Sequence, residues 1–244
     1  MTTRSPGRNF TYSIVQELGI DIVTGTYSAK KPFPVEEELC RRFSASRTVL
    51  REAVKMLTAK GLLSARPRLG TRVLPESSWN LLDPDILRWM LERKYSSALL
   101  VQFNEVRLAM EPQAAALAAK NAGPQEKQAV QAAIERMRAA DRGEDDPLES
   151  DIAFHVAVLR AARNQFYTHL TELTATALRF SIRTTNKYKG VRLASVADHK
   201  KVADAIIAGK PTVAADAMRK MIQEVLDLMH EHEITDAQAR ARRA

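Results

Sequence analysis

The sequence predicts a mostly α-helical protein in two unequal parts, and three observations lead there. Of 244 residues, 45% are apolar and only 9 are glycine, so a substantial core is available and tight turns are few. Apolar residues recur with a 3.6-residue period through almost the whole chain. Charge is uneven: residues 1–74 carry 13 Lys/Arg against 6 Asp/Glu, whereas 75–244 carry 24 against 23. A small basic unit joined to a larger near-neutral one points to nucleic acid as partner of the first.

Some classes are set aside at once. No apolar run reaches the roughly 18 residues of a membrane span, and no secretory signal opens the chain. The single Cys40 allows no disulfide framework and suits a reducing compartment. A cytoplasmic protein with no membrane partner is expected.

The first helix is expected from Tyr12 to Thr24, with Ile14, Leu18, Ile22 and Val23 inward and Gly25 ending it. After a loop holding Pro32 and Pro34, a short helix runs from Val35 to Phe43. Ser44-Ala45-Ser46 is a turn with capping residues, and a further helix runs from Arg47 to Lys60, closed by Gly61. "LLSARPRLGTRVL" reads as two short strands around a Pro/Gly turn. Two helices across a three-residue turn, followed by a strand pair, make a winged helix-turn-helix. In that geometry the first residues of the second helix face base edges in the major groove. Ser46 and Thr48 can donate to phosphates or bases. Arg47 and Arg51, four apart, share a face and can fork onto a guanine or a phosphate. An ordinary basic amphipathic helix would not predict the turn, the strands and the tip "PRLG" in that order.

Residues 75–84, "PESSWNLLDP", read as a linker that partly packs, because Trp79, Leu81 and Leu82 are too apolar for a free tether. Helices are then expected over 84–93, 97–121, 124–142, 148–163, 165–185, 192–208 and 211–232. Pro124 and Pro211 stand at helix starts, and Pro112 should kink the helix that holds it. The domain boundaries that follow are 1–74, a linker over 75–84, a helical domain over 85–232, and a polar, frayed tail over 233–244.

Four polar residues sit where the helical period demands apolar ones. Arg107 lies on the stripe Leu100, Phe103, Arg107, Met110, Ala114, with Glu111 beside it. Asp151 and His155 lie on the stripe that continues to Val158 and Ala162. His199 lies on Val196, His199, Ala203, Ile206. On 211–232 the stripe reads Ala214, Ala217, Met221, Val225, Leu228. One such residue is ordinarily a satisfied core group, but four on three inward stripes each need a partner, and a shared polar cavity serves them together. Asp and His at i, i+4 with a distant His can ligate zinc or a similar divalent ion, or form an acid/base set. No nucleophile motif stands near them, and there is no glycine-rich phosphate loop or dinucleotide fingerprint, so no enzyme is expected.

The stretch "FPVEEELCRRFSASRTVLREAVKMLTAKGLLSARPRLGTRV" resembles the DNA-binding domain of GntR-family transcriptional regulators over residues 10–74. The resemblance implies that Arg47, Thr48 and Arg51 contact operator DNA, with Arg68 and Gly70 in the wing. Glu37 departs from it: many relatives carry arginine there, and a carboxylate cannot favourably meet phosphate, leaving Arg41 or Arg42 to substitute or the operator preference to differ. "EVRLAMEP", "DIAFHVAVLRAARN" and "DHKKVADAIIAGK" resemble the FCD effector domain of the FadR subfamily, an antiparallel helical bundle. In many such domains an aspartate and three histidines hold a divalent metal beside a small carboxylate effector. Carried over, the metal ligands are Asp151, His155 and His199, and Met221 stands in the place of the third histidine. A thioether is a poor zinc ligand in an oxygen/imidazole site, which weakens metal binding or leaves a position for water or effector.

For the effector, Arg107 offers a bidentate pair to a carboxylate, with a salt bridge to Asp151 or Glu111 as the alternative. Glu111, beside it, is expected to contact the effector too, and Asn164 is either a helix cap or a ligand contact. The linker "WNLLDPDILRWML" resembles that of sugar-acid repressors of the galactonate-operon type, which implies a hexonate-like effector. The expectation is a homodimeric repressor released from operator DNA by a carboxylate effector. The alternatives are a metal-sensing regulator and an enzyme fused to a DNA-binding domain.

Overall fold

A computed structural model describes residues 6–28, 30–66, 70–93, 97–189 and 194–241. The chain divides into two compact units, Met1–Tyr95 and Ser96–Ala244. Among the described residues no helix is long and apolar enough to cross a membrane.

The first unit contains α1 (Pro6–Val23), α2 (Glu36–Phe43), α3 (Arg47–Ala59), a hairpin of β1 (Leu63–Arg66) and β2 (Gly70–Val73), and α4 (Pro84–Arg93). α1 begins a turn and a half before the expected Tyr12. It ends where Gly25 takes a positive φ of 79°. The turn between α2 and α3 is built as the sequence predicts. Ser44 adopts the left-handed conformation at φ 49°, and the Ser46 hydroxyl accepts from the backbone N–H of Val49 at 3.4 Å. The strands pair antiparallel, Leu63 opposite Val73 and Arg66 opposite Gly70. Gly61 is required at the end of α3: its φ is 78°, and a Cβ there would stand 2.2 Å from the carbonyl oxygen of Ser78.

The structure corrects the expected boundary of this unit. α4, which the sequence pattern assigns to the second domain, belongs to the first. Its Trp89 is fully buried in one core with Ile14, Leu18, Leu50, Leu57 and Leu62. The cause is a close approach to α1. Gly19 leaves space there that a Cβ would fill at 2.4 Å from the indole ring, and the indole N–H donates to Gln16 Oε1 at 2.7 Å. The segment before α4 is pinned too. Trp79 is buried and donates to the Leu74 carbonyl, and Lys60, at the end of α3, bridges Asp83 and Asp85 at 2.7 and 2.9 Å. Leu81 and Leu82, expected to help pack this segment, are exposed.

The second unit is helical throughout its described residues: α5 (Ser97–Asn121), α6 (Pro124–Asp141), α7 (Pro147–Ala161), α8 (Gln165–His169), α9 (Thr171–Lys189), α10 (Val196–Ile207) and α11 (Pro211–Ala241). Caps set the starts. Asp146 accepts from the N–H groups of Leu148 and Glu149 at 2.8 and 3.0 Å, and Ser195 accepts from that of Asp198 at 3.3 Å. α5 runs on through buried Pro112 as one helix. The core joins Ala115 and Ala118 of α5, Phe154 and Val158 of α7, Val202 and Ile206 of α10, and Met218 and Ile222 of α11. Small alanines at these contacts let the helices approach closely.

Three expectations here are corrected. The single helix over 165–185 is two, α8 and α9, parting at Leu170. The tail expected to fray continues α11 to Ala241. The buried face of α11 is Ala214, Met218, Ile222, Leu226 and Met229, about one residue round from the expected stripe.

Candidate functional site

In the first unit Ser46, Arg47, Thr48 and Arg51 are all exposed at the start of α3. The two arginines are not idle: Glu36 at the start of α2 pairs with Arg51 Nε at 3.0 Å and Arg47 Nε at 3.8 Å. Their side chains remain 74% and 67% exposed for Arg47 and Arg51, so these pairs are weak and can exchange for phosphate. Gly70 is exposed with a φ of 72°, and Arg68 lies outside the described residues. Arg42 does not stand in for an arginine at Glu37. It is turned onto α1, paired with Glu17 and with Asp21 at 2.8 Å. Arg41 and Glu37 are exposed.

In the second unit three helices build one buried polar group. α7 contributes Asp151 and His155 from one face, α10 contributes His199, and α5 contributes Arg107 and Glu111. Each is at most 4% exposed. Ligand atoms of Asp151, His155 and His199 lie within 4.8 Å of one another. Phe154 stands edge-on to both imidazoles, 5.7 Å from the ring of His155 and 5.0 Å from that of His199.

The hydrogen bonds fix the tautomers. His199 Nδ1 lies 2.8 Å from the carbonyl oxygen of Ser195, which can only accept, so Nδ1 carries the proton. His155 Nδ1 lies 2.7 Å from Glu111 Oε2. Burial raises the Glu111 carboxyl, but the charges of Arg107 and His155 outweigh it and hold it at about 2, so it too accepts. Each imidazole therefore presents Nε2 inward, and both Nε2 atoms face one oxygen, Asp151 Oδ1, at 3.2 Å from His199 and 3.4 Å from His155. Burial acts on Asp151 in the upward direction, yet the two histidines hold it well below the usual carboxylate range. For His155 the desolvation that lowers its pKa is outweighed by Glu111 and Asp151, and the result is raised.

With both histidines neutral, three lone-pair donors would point at one another. That is unfavourable unless a cation or a proton lies between them; Arg107 Nη2, 3.3 and 3.4 Å from the two ring nitrogens of His155, relieves it on one side only. The donor set, one carboxylate oxygen and two imidazoles locked from behind by an acceptor, is the set a divalent ion requires. These residues fit a metal of the zinc type.

The trio opens on a cavity of about 300 Å³, lined among others by Arg107, Ser181, Thr185, Ser195 and Met221. Met221 thus lies on the wall, as its place in the sequence requires. Two expected effector contacts do not. Glu111 sits behind Arg107 and His155, and Asn164 caps α8, accepting from the Phe166 N–H at 2.9 Å. Arg107 is on the wall, but its Nε/Nη2 edge is taken by Glu111, Nε at 2.6 Å and Nη2 at 3.4 Å, and its Nη1 donates to Asn104 Oδ1 at 2.9 Å. The fork is largely spent inside the protein. Asn104, Ser181 and Thr185 were not singled out by the sequence. Asn104 stands one position from the expected stripe, and the serine and threonine look like ordinary helical hydroxyls.

The comparisons agree with this layout. Residues 11–73 match the model of the gntR family of bacterial regulatory proteins, and residues 102–224 match the FCD domain. The chain belongs to the GntR family, with an FCD domain as its second unit. It is 38% identical over 156 residues to the galactonate operon transcriptional repressor of Escherichia coli K12, covering 64% of this chain and 68% of that one. It is 35% identical over 168 residues to the HTH-type transcriptional regulator YieP of the same organism, covering 68% and 73%. Lar of Listeria monocytogenes shares the fold with a TM-score of 0.54 at 16% identity, over 95% of this chain and 99% of that one. A GntR protein with an FCD domain is a ligand-responsive, DNA-binding transcriptional regulator.

Proposed function

We propose that this regulator is a homodimeric repressor of sugar-acid catabolism whose effector binds in the second unit beside a divalent metal. The observation that carries the metal is the convergence of His155 Nε2 and His199 Nε2 on Asp151 Oδ1. The sugar-acid reading is supported by the identity with the galactonate operon repressor of Escherichia coli. A bound divalent ion would supply a Lewis-acidic anchor for the effector's carboxylate.

The chain's own residues do the rest. Ser195 and Glu111 hold the two imidazoles in the tautomer that exposes Nε2. Arg107, its charge shared with Glu111, offers its remaining N–H groups as a single contact rather than the bidentate pair expected from sequence. Ser46, Arg47, Thr48, Arg51 and Gly70 hold operator DNA, and two-fold symmetry of the dimer matches a palindromic operator. Effector binding favours a state that fits the operator poorly, by no more than its difference in affinity for the two states.

The test is a thermal-shift screen of sugar acids on metal-stripped protein, with and without added zinc. A hexonate should raise the unfolding temperature with zinc and lower operator affinity. Operator release by zinc alone would show a metal sensor instead, and turnover of the acid would show an enzyme.

A further inference from the structure

The first turn of α2 holds three carboxylates, Glu36, Glu37 and Glu38, on the element that leads into the recognition helix. Carboxylates at such an edge repel phosphate, and they have no part in the DNA contacts proposed above. Glu37 and Glu38 are exposed. Glu36 differs from them in what it touches. Its Oε2 lies 3.0 Å from Arg51 Nε and its Oε1 3.5 Å from Arg51 Nη2, so the carboxylate takes one whole edge of the guanidinium. Arg47 Nε stands 3.8 Å from the same carboxylate. Arg51 keeps its end, the Nη1 group and the second N–H of Nη2. Glu36 and Arg51 also line one cavity of about 240 Å³ with Phe33, Leu39, Leu50 and Val54, so apolar surface borders the pair on one side. We propose that Glu36 is a specificity-determining residue of operator binding: it positions Arg51 end-on for a base edge and makes capture of that arginine by phosphate costly.

Charge separates the two targets. A guanine edge offers O6 and N7, neutral acceptors that two N–H groups on the end of a guanidinium can meet side by side. Such an edge is indifferent to the carboxylate behind the arginine. A phosphate is not. It gains little from a cation already shared, and it meets the repulsion of Glu36 at close range, where salt screens weakly. If Arg51 leaves Glu36 for a phosphate, the carboxylate is stranded beside the DNA backbone. An exposed ion pair is weak taken alone, and here the weight comes from the phosphates that DNA brings. The pair thus costs affinity on every sequence, and costs least where a guanine stands before Arg51. This is discrimination by a repulsive element.

The inference rests on the assignment of Arg51 to DNA, and the experiment separates the two. An operator duplex is selected from a random library by the wild-type protein. Binding to it, to each of its single-base variants and to a random-sequence duplex of the same length is measured by fluorescence anisotropy at several salt concentrations. The position read by Arg51 is the one whose substitution weakens binding by wild type but not by Arg51→Ala. In Glu36→Gln, affinity for the random duplex should rise about 5-fold at physiological salt, the worth of one counterion, and the log–log salt slope should steepen by about one unit. Discrimination at the Arg51 position should fall about 5-fold or more, with the other positions unchanged. Glu38→Gln removes the same charge from the same turn without touching either arginine, and should leave that discrimination intact. If Glu36→Gln shifts operator and random duplex by the same factor, or if Glu38→Gln reproduces its loss of discrimination, Glu36 acts as bulk charge and the inference fails while the DNA contacts stand. If Arg51→Ala changes binding to no duplex, the DNA-contact assignment fails and this inference with it.

Discussion

Glu111→Gln is the sharpest probe of the buried group, because it removes a charge while keeping shape. Glu111 touches no part of the cavity, yet it accepts from Arg107 Nε at 2.6 Å and from His155 Nδ1 at 2.7 Å. Its carboxyl is held at about 2 against an ordinary 4.5. Two and a half pH units correspond to roughly 3 kcal/mol of net stabilisation at neutral pH, already discounted for burial. The glutamine amide can accept with one oxygen only, so either the arginine or the imidazole loses its partner inside the protein. Loss of about 3 kcal/mol agrees with the cost of breaking a buried pair from one side. For a unit of this size it lowers the unfolding temperature by about 6–12 °C. The second consequence is functional. Without the carboxylate behind it, His155 is free to place its proton on Nε2, and zinc affinity should fall by about 10–100-fold. The assay pairs thermal unfolding of metal-stripped protein with competitive zinc titration against a chromophoric chelator. A variant that is destabilised but binds zinc as tightly as wild type would refute the assignment of Glu111 as the group that orients the ligand.

Further outcomes are expected elsewhere in the molecule. Arg51→Ala should weaken operator binding, reduce the salt dependence by about one unit of log–log slope, and leave effector binding intact, as measured by fluorescence anisotropy at several salt concentrations. Gly19→Ala should destabilise the first unit by about 1–3 kcal/mol in chemical denaturation, although alanine is the better helix former, because the new Cβ meets the Trp89 ring at 2.4 Å. The raised pKa of His155 gives metal-free protein a contribution to stability that is complete below the ordinary histidine value of 6.5 and lost as pH rises through the raised value. Zinc binding should reverse that trend and expel a proton near neutral pH, seen as a dependence of the calorimetric heat on buffer ionisation enthalpy.

What was legible in the sequence follows from how local each signal is. The turn between α2 and α3 could be read because Ser46 and Gly61 act on their own neighbours. Asp151 and His155 could be read as a pair because four residues along a helix fix their common face. The place of α4 could not, because what holds Trp89 is a missing side chain at Gly19, far away in sequence. The face of α11 was misplaced for another reason. In "AADAMRKMIQEVLDLM" apolar residues cover more than half the circumference, so two adjacent stripes fit the period equally well and only the neighbouring helices decide. The break at Leu170 has no proline or glycine to announce it. Glu111 is visible in the sequence beside Arg107, but the direction of its contacts is not, so a residue that supports His155 from behind reads there as a ligand contact.

Charge decides how the pieces of the cavity work together. Arg107 and Glu111 cancel, held to each other at 2.6 Å. Asp151 keeps its negative charge, since its carboxyl stays well below the usual range. Where His155 has lost its proton, the charges of Arg107, Glu111 and Asp151 sum to net negative, and an anionic effector approaching them is repelled in a site where screening is poor. A guanidinium already neutralised by Glu111 cannot reverse that sign. One bound divalent ion changes the sum to net positive and turns repulsion into attraction, and one proton on His155 only brings it to zero. The effector's carboxylate thus needs the metal more than it needs Arg107. It follows that Arg107→Ala should cost less effector affinity than removal of the metal does, the reverse of the order expected when Arg107 is read from sequence as the anchor.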